Sequence, residues 1–132
     1  GFGKAVEINE KLKNKEAKRV QNLRDYFWRE LKKIFPKIQL NGSASQRLSN
    51  NLNIYFPGSS AHDRCMELDL LGIAVSPGVA CSARSSKPSY VIEALSHSSD
   101  RPSSSLRLTF GRPTSKIEVN KAIKIFRKLA VN

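Results

Sequence analysis

The side chain best suited to do chemistry is that of Cys81, which lies between a Pro77-Gly78 pair and a serine-rich stretch. A cysteine acts as a nucleophile or sulfur carrier through its thiolate, which must be accessible and free to move. Proline, glycine and serine favour a loop, and the positive charges of Arg84 and Lys87 favour the thiolate. The other cysteine, Cys65, falls on the apolar stripe of a helical pattern. We expect Cys65 to be a small buried side chain and Cys81 to be functional.

The two cysteines could instead bind a metal together with the two histidines. His62 and Cys65 form a tight pair, whereas Cys81 and then His97 each follow after fifteen intervening residues. A structural zinc site of this composition usually has two tight pairs. The spacing therefore argues against zinc, and we expect no metal. One zinc ion per chain in the purified protein would contradict this.

Arg107 is the second candidate, because it lies within the pattern of a strand. Leu106, Leu108 and Phe110 alternate with Arg107 and Thr109, which predicts apolar side chains on one face and Arg107 on the other. A guanidinium held on a rigid strand is suited to bind a carboxylate through two hydrogen bonds. From residue types alone, an ordinary surface arginine is the simpler interpretation.

Short strands and amphipathic helices must position these residues. A mostly apolar stripe with steps of three and four residues predicts one long helix over residues 7–35, ending before Pro36. Ser115 and Glu118 have the spacing of a capping box, which predicts the start of the last helix. The other predicted elements are a strand at 52–56, a helix at 60–71 capped by Gly72, a short strand at 73–76, a short helix at 90–95 and a strand at 106–110. We expect an α/β fold, a two-layer sandwich of about three strands with helices on one face.

Length and charge limit the class of protein. A chain of 132 residues suits one domain, no apolar run is long enough to span a membrane, and two cysteines favour a reducing, intracellular setting. The net charge of +12 is the sum of +6 in residues 1–40, −1 in residues 41–81 and +7 in residues 82–132. Such an excess would suit nucleic acid. However, the basic residues of the first helix, Arg24 among them, mostly lie off its apolar stripe as on a solvated face, and its aromatic residues have core-like spacing. We therefore do not expect a nucleic-acid partner.

The motifs around Cys81 and Arg107, taken in order, resemble one family. They are Asn41-Gly42, Ser76-Pro77-Gly78-Val79-Ala80-Cys81-Ser82, Lys87-Pro88-Ser89-Tyr90-Val91, Ser105-Leu106-Arg107 and Gly111-Arg112-Pro113-Thr114. This series resembles the C-terminal portion of the NifS-like cysteine desulfurases, pyridoxal-phosphate-dependent enzymes of fold type I related to the class V aminotransferases. The resemblance implies that residues 1–132 are the small domain. Residues 1–35 would be a long helix joining a large cofactor domain that this chain lacks, and residues 36–132 an α/β sandwich with the cysteine loop at 76–88.

The resemblance also implies a reaction and its participants. The family takes sulfur from L-cysteine and leaves L-alanine. Cys81 matches the cysteine that becomes a persulfide, and Arg107 matches the arginine that binds the substrate carboxylate. Pyridoxal phosphate would be bound to a lysine outside this chain, with no cofactor on the chain itself. The implied partners are L-cysteine, an iron–sulfur scaffold or another sulfur acceptor such as a tRNA-thiolation protein, and a second subunit in a full-length homodimer. The implied location is the cytoplasm, or the mitochondrial matrix in a eukaryote, without a membrane.

The cysteine loop departs from the family pattern. That pattern commonly reads Ser-Ser-Gly-Ser-Ala-Cys-Thr-Ser, whereas this chain has Pro77 and Val79 in place of two serines and Ser82-Ala83 in place of Thr-Ser. Proline fixes its own backbone and lacks an N–H donor. We therefore expect Pro77 to stiffen the entry to the loop.

The cofactor lysine is the second departure. In the family it follows a histidine, but here His62 precedes Asp63 and His97 precedes Ser98. We therefore expect that the chain alone does not desulfurate cysteine. The alternative is a non-catalytic module or remnant of a desulfurase that still binds a sulfur acceptor.

Overall fold

The computed structural model describes residues 1–78, 89–95 and 100–130, which form four helices and three strands. In chain order these are α1 (Phe2–Ile34), β1 (Gln39–Leu40), β2 (Asn51–Tyr55), α2 (Ala61–Leu70), α3 (Tyr90–Leu95), β3 (Ser105–Thr109) and α4 (Lys116–Leu129). The strands form one antiparallel sheet in the order β1-β2-β3. The α/β sandwich with a small three-stranded sheet, predicted from the sequence, is confirmed.

The register of β2 against β3 gives the sheet one apolar face and one polar face. Leu52 pairs with Leu108 and Ile54 with Leu106, and all four side chains are buried. The alternate pairs lie on the opposite face, because successive side chains of a strand point to opposite sides. These polar pairs are Asn51 with Thr109, Asn53 with Arg107 and Tyr55 with Ser105.

The apolar face is covered by α1, α2 and α4. Phe27 of α1 and Phe126 of α4 meet edge to face, with 5.7 Å between the ring centroids, which is a favourable aromatic geometry. The predicted stripe of α1 is buried from Val20 onward, whereas residues 1–11 are all exposed. The buried helical side chains of this core are Val20, Leu23, Phe27, Leu31, Ala61, Leu68, Val119, Ile123 and Phe126.

Arg24 was predicted to lie on the exposed face of α1, and this prediction is wrong. Its side chain is 3% exposed. The guanidinium bonds to Asp25 through Nε at 2.9 Å and donates from Nη1 to the carbonyl of Leu48 at 2.6 Å. The loop before β2 therefore covers Arg24. Its spacing, four residues after Val20 and three before Phe27, also places it beside the apolar stripe.

The predicted strand at 73–76 is also wrong. Helix α2 is followed by Gly72, whose φ of +80° suits glycine, and Ile73 donates its N–H to the carbonyl of Leu68. The chain is therefore still part of the helix cap at Ile73. Only Ser76 reaches the sheet, in an isolated antiparallel bridge with Arg107. Strand β1 was not predicted, since two residues are too few to show alternation.

No helix within the described ranges is both long and apolar enough to cross a membrane.

Candidate functional site

A cavity of about 260 Å³ lies between the polar face of the sheet and α3. Helix α3 is therefore on the opposite side of the sheet from the other three helices, and it contributes the apolar wall of the cavity. The prediction of helices on one face thus holds for α1, α2 and α4 but not for α3. Ile92 of α3 is buried there. The lining residues are Asn41, Asn51, Asn53, Ser76, Pro77, Gly78, Ser89, Val91, Ile92, Leu95, Ser105 and Arg107.

Arg107 is held at this cavity by its own backbone bonds to Ser76 and by the pairing of its strand with β2. Its N–H donates to the carbonyl of Ser76 at 2.8 Å, and its own carbonyl accepts from the N–H of Ser76 at 3.1 Å. On the other side β3 pairs with β2, which places Asn53 opposite Arg107. The half-buried guanidinium therefore projects from a rigid support.

The guanidinium of Arg107 has no carboxylate partner within the described residues. The ion pairs found there all use other cations, and the described lining of the cavity contains no acid. A guanidinium presents five N–H donors in a planar fork that matches a carboxylate. The cavity can therefore accept a small anion at Arg107.

Ser76 connects Arg107 to the segment that follows. Nη2 of Arg107 donates to Oγ of Ser76 at 3.2 Å, and the same hydroxyl donates to the carbonyl of Gly78 at 2.8 Å. The N–H of Gly78 points back to Oγ at 3.4 Å. One hydroxyl therefore lies between the guanidinium and the turn at Pro77-Gly78.

Asn41 organises the other side of the cavity and was not predicted to do so. Its Nδ2 donates to Oδ1 of Asn53 and to Oγ of Ser105, both at 2.8 Å. Its Oδ1 is buried and has no hydrogen-bond partner in the described part of the chain. Asn41 entered the sequence interpretation only as part of the Asn41-Gly42 motif. A signal for the network exists in the alternation of Asn51 and Asn53 with Leu52 and Ile54, which indicates a polar strand face but not what lies against it.

The described lining does not fit the attachment of pyridoxal phosphate. That cofactor forms its Schiff base with a lysine, and no lysine is among the described lining residues. The cavity offers one guanidinium, three amides and hydroxyl groups, which suit a carboxylate and not a covalent bond to an aldehyde.

Cys81 lies outside the described residues, as does His97. The described residues on either side of the segment 79–88, Gly78 and Ser89, both line the cavity. The segment that contains Cys81 therefore leaves and re-enters the described structure beside Arg107.

Cys65 packs against the core as predicted, but it is half-buried where a buried side chain was expected. The thiol is half-buried, packs against the core and donates to the carbonyl of Val75 at 3.4 Å. Burial, with the charge of Asp69, raises the pKa of the Cys65 thiol, which lowers its reactivity. Its neighbour in the metal hypothesis, His62, is exposed on α2. In the described ranges no three metal-binding side chains come together.

A larger opening of about 570 Å³ lies beside the C-terminal end of β3 and is mostly apolar. Its charged lining residues are Glu118, which is part of a helix cap, and Lys121. It lacks a half-buried unpaired cation, so the smaller polar cavity is the better candidate site.

Comparison with known proteins agrees with this geometry. Residues 1–121 match the family described as aminotransferase class-V. The chain belongs to that family. It is 37% identical over 129 residues to the cysteine desulfurase IscS of Dictyoglomus turgidum, which covers 98% of this chain and 33% of that protein. The IscS of Ehrlichia chaffeensis is 38% identical over 90% of this chain and 28% of its own length. The resemblance to cysteine desulfurases stated from the motifs is confirmed.

Solved structures show the same fold for this member of the class-V family. A NifS-like protein superposes with a TM-score of 0.82 at 19% identity, covering 97% of this chain and 32% of its own. The X-ray structure of a NifS-like protein from Rickettsia africae gives 0.84 at 20% identity, covering 100% and 34%. The chain thus spans about a third of the length of the relatives that it matches.

Proposed function

We propose that this chain is the small domain of a cysteine desulfurase, spanning residues 1–132. In this role it binds the carboxylate of L-cysteine at Arg107 and accepts the sulfur on Cys81. The pyridoxal phosphate that supplies the electron sink belongs to a large domain, with its lysine outside this sequence. Relatives named cysteine desulfurase, 37% and 38% identical over nearly the whole chain, support this role.

The observation that carries the proposal is that the guanidinium of Arg107 has no carboxylate partner within the described residues. Among its five donors, one N–H is used by Ser76 within the described residues. Donors therefore remain for a carboxylate, and the rigid bridge to Ser76 keeps the fork oriented before the substrate arrives. Arginine is better suited than lysine here, because it binds both carboxylate oxygens in one plane.

The position of Cys81 along the chain supports its role as sulfur carrier. It is the third residue after Gly78, which lines the cavity. A fully extended chain of that length spans roughly 11 Å. The thiol is therefore tethered within reach of a substrate whose carboxylate is bound by Arg107.

The proposed transfer balances without an external oxidant. The Cβ–Sγ bond of L-cysteine breaks, and an S–S bond forms between that sulfur and the sulfur of Cys81. The carbon is reduced and takes up one proton, which equals the proton lost from the Cys81 thiol. The products are L-alanine and a persulfide on Cys81.

The persulfide would then pass to an acceptor protein. We propose an iron–sulfur scaffold or another sulfur acceptor, in the cytoplasm or the mitochondrial matrix, with a homodimer formed mainly through the large domain. The exposed Pro77 beside the cavity stands at the entry to the carrier segment, and it would restrict the approaches open to the acceptor.

The test is a chimera in which this chain replaces the matching third of the Dictyoglomus turgidum enzyme. We expect the chimera to release alanine from L-cysteine, whereas the chain alone, mixed with pyridoxal phosphate and L-cysteine, releases none. Cys81→Ser should abolish persulfide formation. Arg107→Ala should lower kcat/KM by about 10- to 100-fold, the range for a hydrogen bond to a charged group.

Arg127 of α4 provides the matched control, since it is an exposed arginine away from the cavity. Arg127→Ala should keep the kinetics of the chimera. A chimera that folds and binds the cofactor but has no activity would contradict the proposal. So would an Arg107→Ala variant with an unchanged kcat/KM.

A further inference from the structure

The hydroxyl of Ser76, beside Arg107, uses all of its hydrogen-bonding capacity. A serine hydroxyl has one proton to donate and two lone pairs to accept with. The proton is given to the carbonyl of Gly78 at 2.8 Å. The lone pairs must therefore face the two N–H donors nearby, Nη2 of Arg107 at 3.2 Å and the N–H of Gly78 at 3.4 Å.

This arrangement constrains the guanidinium in a way that the backbone cannot. The bridge between Ser76 and Arg107 fixes the two main chains, but a long arginine side chain keeps several rotatable bonds. Ser76 is the group to which the guanidinium donates among the described residues. Without that acceptor the side chain would lose its only described anchor.

We propose that Ser76 is a positioning residue that orients the guanidinium of Arg107 for the substrate carboxylate and, through Gly78, ties it to the segment carrying Cys81. This inference rests on the proposed function and adds a residue to it. The hydroxyl of Ser76 is already engaged by Gly78 and Arg107, so in this proposal it acts on the carboxylate through Arg107 and not directly. Its effect on cysteine binding passes entirely through Arg107, so it should vanish when Arg107 is absent.

The experiment is a double-substitution cycle in the same chimera, with L-cysteine as substrate. Ser76→Ala should raise KM about tenfold with kcat changed less than twofold, because a lost acceptor misorients a group that binds the carboxylate. In the Arg107→Ala background the same substitution should change KM by less than twofold. Ser76→Thr keeps the hydroxyl and should restore KM.

A binding measurement and a control complete the design. Titration calorimetry with L-alanine, which has the same carboxylate, should show the same weakening for Ser76→Ala. Ser103→Ala is the matched control: its exposed hydroxyl also donates to a nearby carbonyl, that of Asp100 at 2.9 Å. It should leave KM and alanine binding unchanged.

The outcomes separate the two proposals. If Arg107→Ala leaves KM and alanine binding unchanged, the proposed function fails at Arg107. If Arg107→Ala weakens both but Ser76→Ala does not, the role of Ser76 is overturned while the function stands. If Ser76→Ala raises KM equally with and without Arg107, its effect is a general structural one and the role of Ser76 is again overturned.

Discussion

At the scale of single residues, three arginines with buried or half-buried side chains, Arg24, Arg64 and Arg107, differ in the groups that they contact. Arg24 is buried and paired with Asp25. Arg64 lies over the ring of Phe56, with 4.8 Å from its guanidinium carbon to the ring centroid. Arg107 has neither a carboxylate nor an aromatic face among the described residues. Of these three, Arg107 is the one that lines the polar cavity, where a guanidinium can bind an external anion.

The two cysteines should also differ in reactivity. In the Cys81→Ser variant the remaining thiol, Cys65, has a pKa raised by burial and by Asp69. Its thiolate fraction is therefore reduced only in the folded state. We expect iodoacetamide at mildly alkaline pH to label Cys65 several-fold more slowly in the folded chain than in concentrated urea, as followed by mass spectrometry. Equal rates in the two states would contradict the protection of Cys65 by the fold.

The raised pKa of Cys65 also predicts a pH dependence of stability. Because the folded state favours the neutral thiol, the stability that this thiol contributes falls as pH rises above the ordinary cysteine range.

At the scale of elements, the sequence correctly predicted the helices and strands that are determined by local patterns. Helix α4 begins where the Ser115 and Glu118 spacing places it, and β3 follows from strict alternation. The failures depend on contacts distant in sequence. Residues 73–76 have the composition of a strand, but the cap of α2 extends to Ile73, and only Ser76 reaches β3. The position of α3 over the polar face depends in the same way on packing that no local pattern encodes.

The capping box of α4 gives a prediction about stability. Oγ of Ser115 accepts from the N–H of Glu118, and the Glu118 carboxylate accepts from the N–H of Ser115 at 2.7 Å. Ser115→Ala should lower the free energy of unfolding by about 1 kcal/mol, measured by urea titration. Ser115→Thr keeps the acceptor and should lose less. A Ser115→Ala variant as stable as the original would show that the cap contributes nothing.

Glu118, the second residue of the capping box, makes the stability of the fold depend on pH. The hydrogen bond from the Ser115 backbone is the largest cause that lowers the pKa of Glu118, and Lys121 adds to it. A lowered pKa in the folded state means that the ionised group stabilises the fold above the ordinary glutamate pKa, and that this contribution is lost as pH falls below it. Glu118→Gln should therefore be less stable than the original chain at neutral pH. The difference should shrink on acidification, and a difference independent of pH would exclude the carboxylate as its cause.

At the scale of the whole molecule, the chain consists of an exposed N-terminal segment of α1 and a packed core. The core begins at Val20 of α1, and Arg19 just before it donates to the carbonyls of Arg112 and Thr114. Residues 1–11 of this 33-residue helix are all exposed. Its ion pairs, such as Lys4 with Glu7 and Lys13 with Glu10, are exposed and contribute little to stability. The residues before Val20 carry six basic and three acidic side chains, a net charge of +3 of the +6 of residues 1–40. Half of that charge therefore belongs to the first half of α1 and not to the cavity.

This division predicts how truncation affects the fold. Residues 1–11 are all exposed, so deleting them should change the free energy of unfolding in urea by less than about 0.5 kcal/mol. The helical circular dichroism signal should fall at the same time, because the deleted residues are part of α1. Leu31→Ala is the control for sensitivity: that side chain is fully buried, and its loss should cost about 2–5 kcal/mol. If the truncation costs as much as Leu31→Ala, residues 1–11 must pack against the rest of the chain in solution. They would then belong to the folded core and would not be an extension from it.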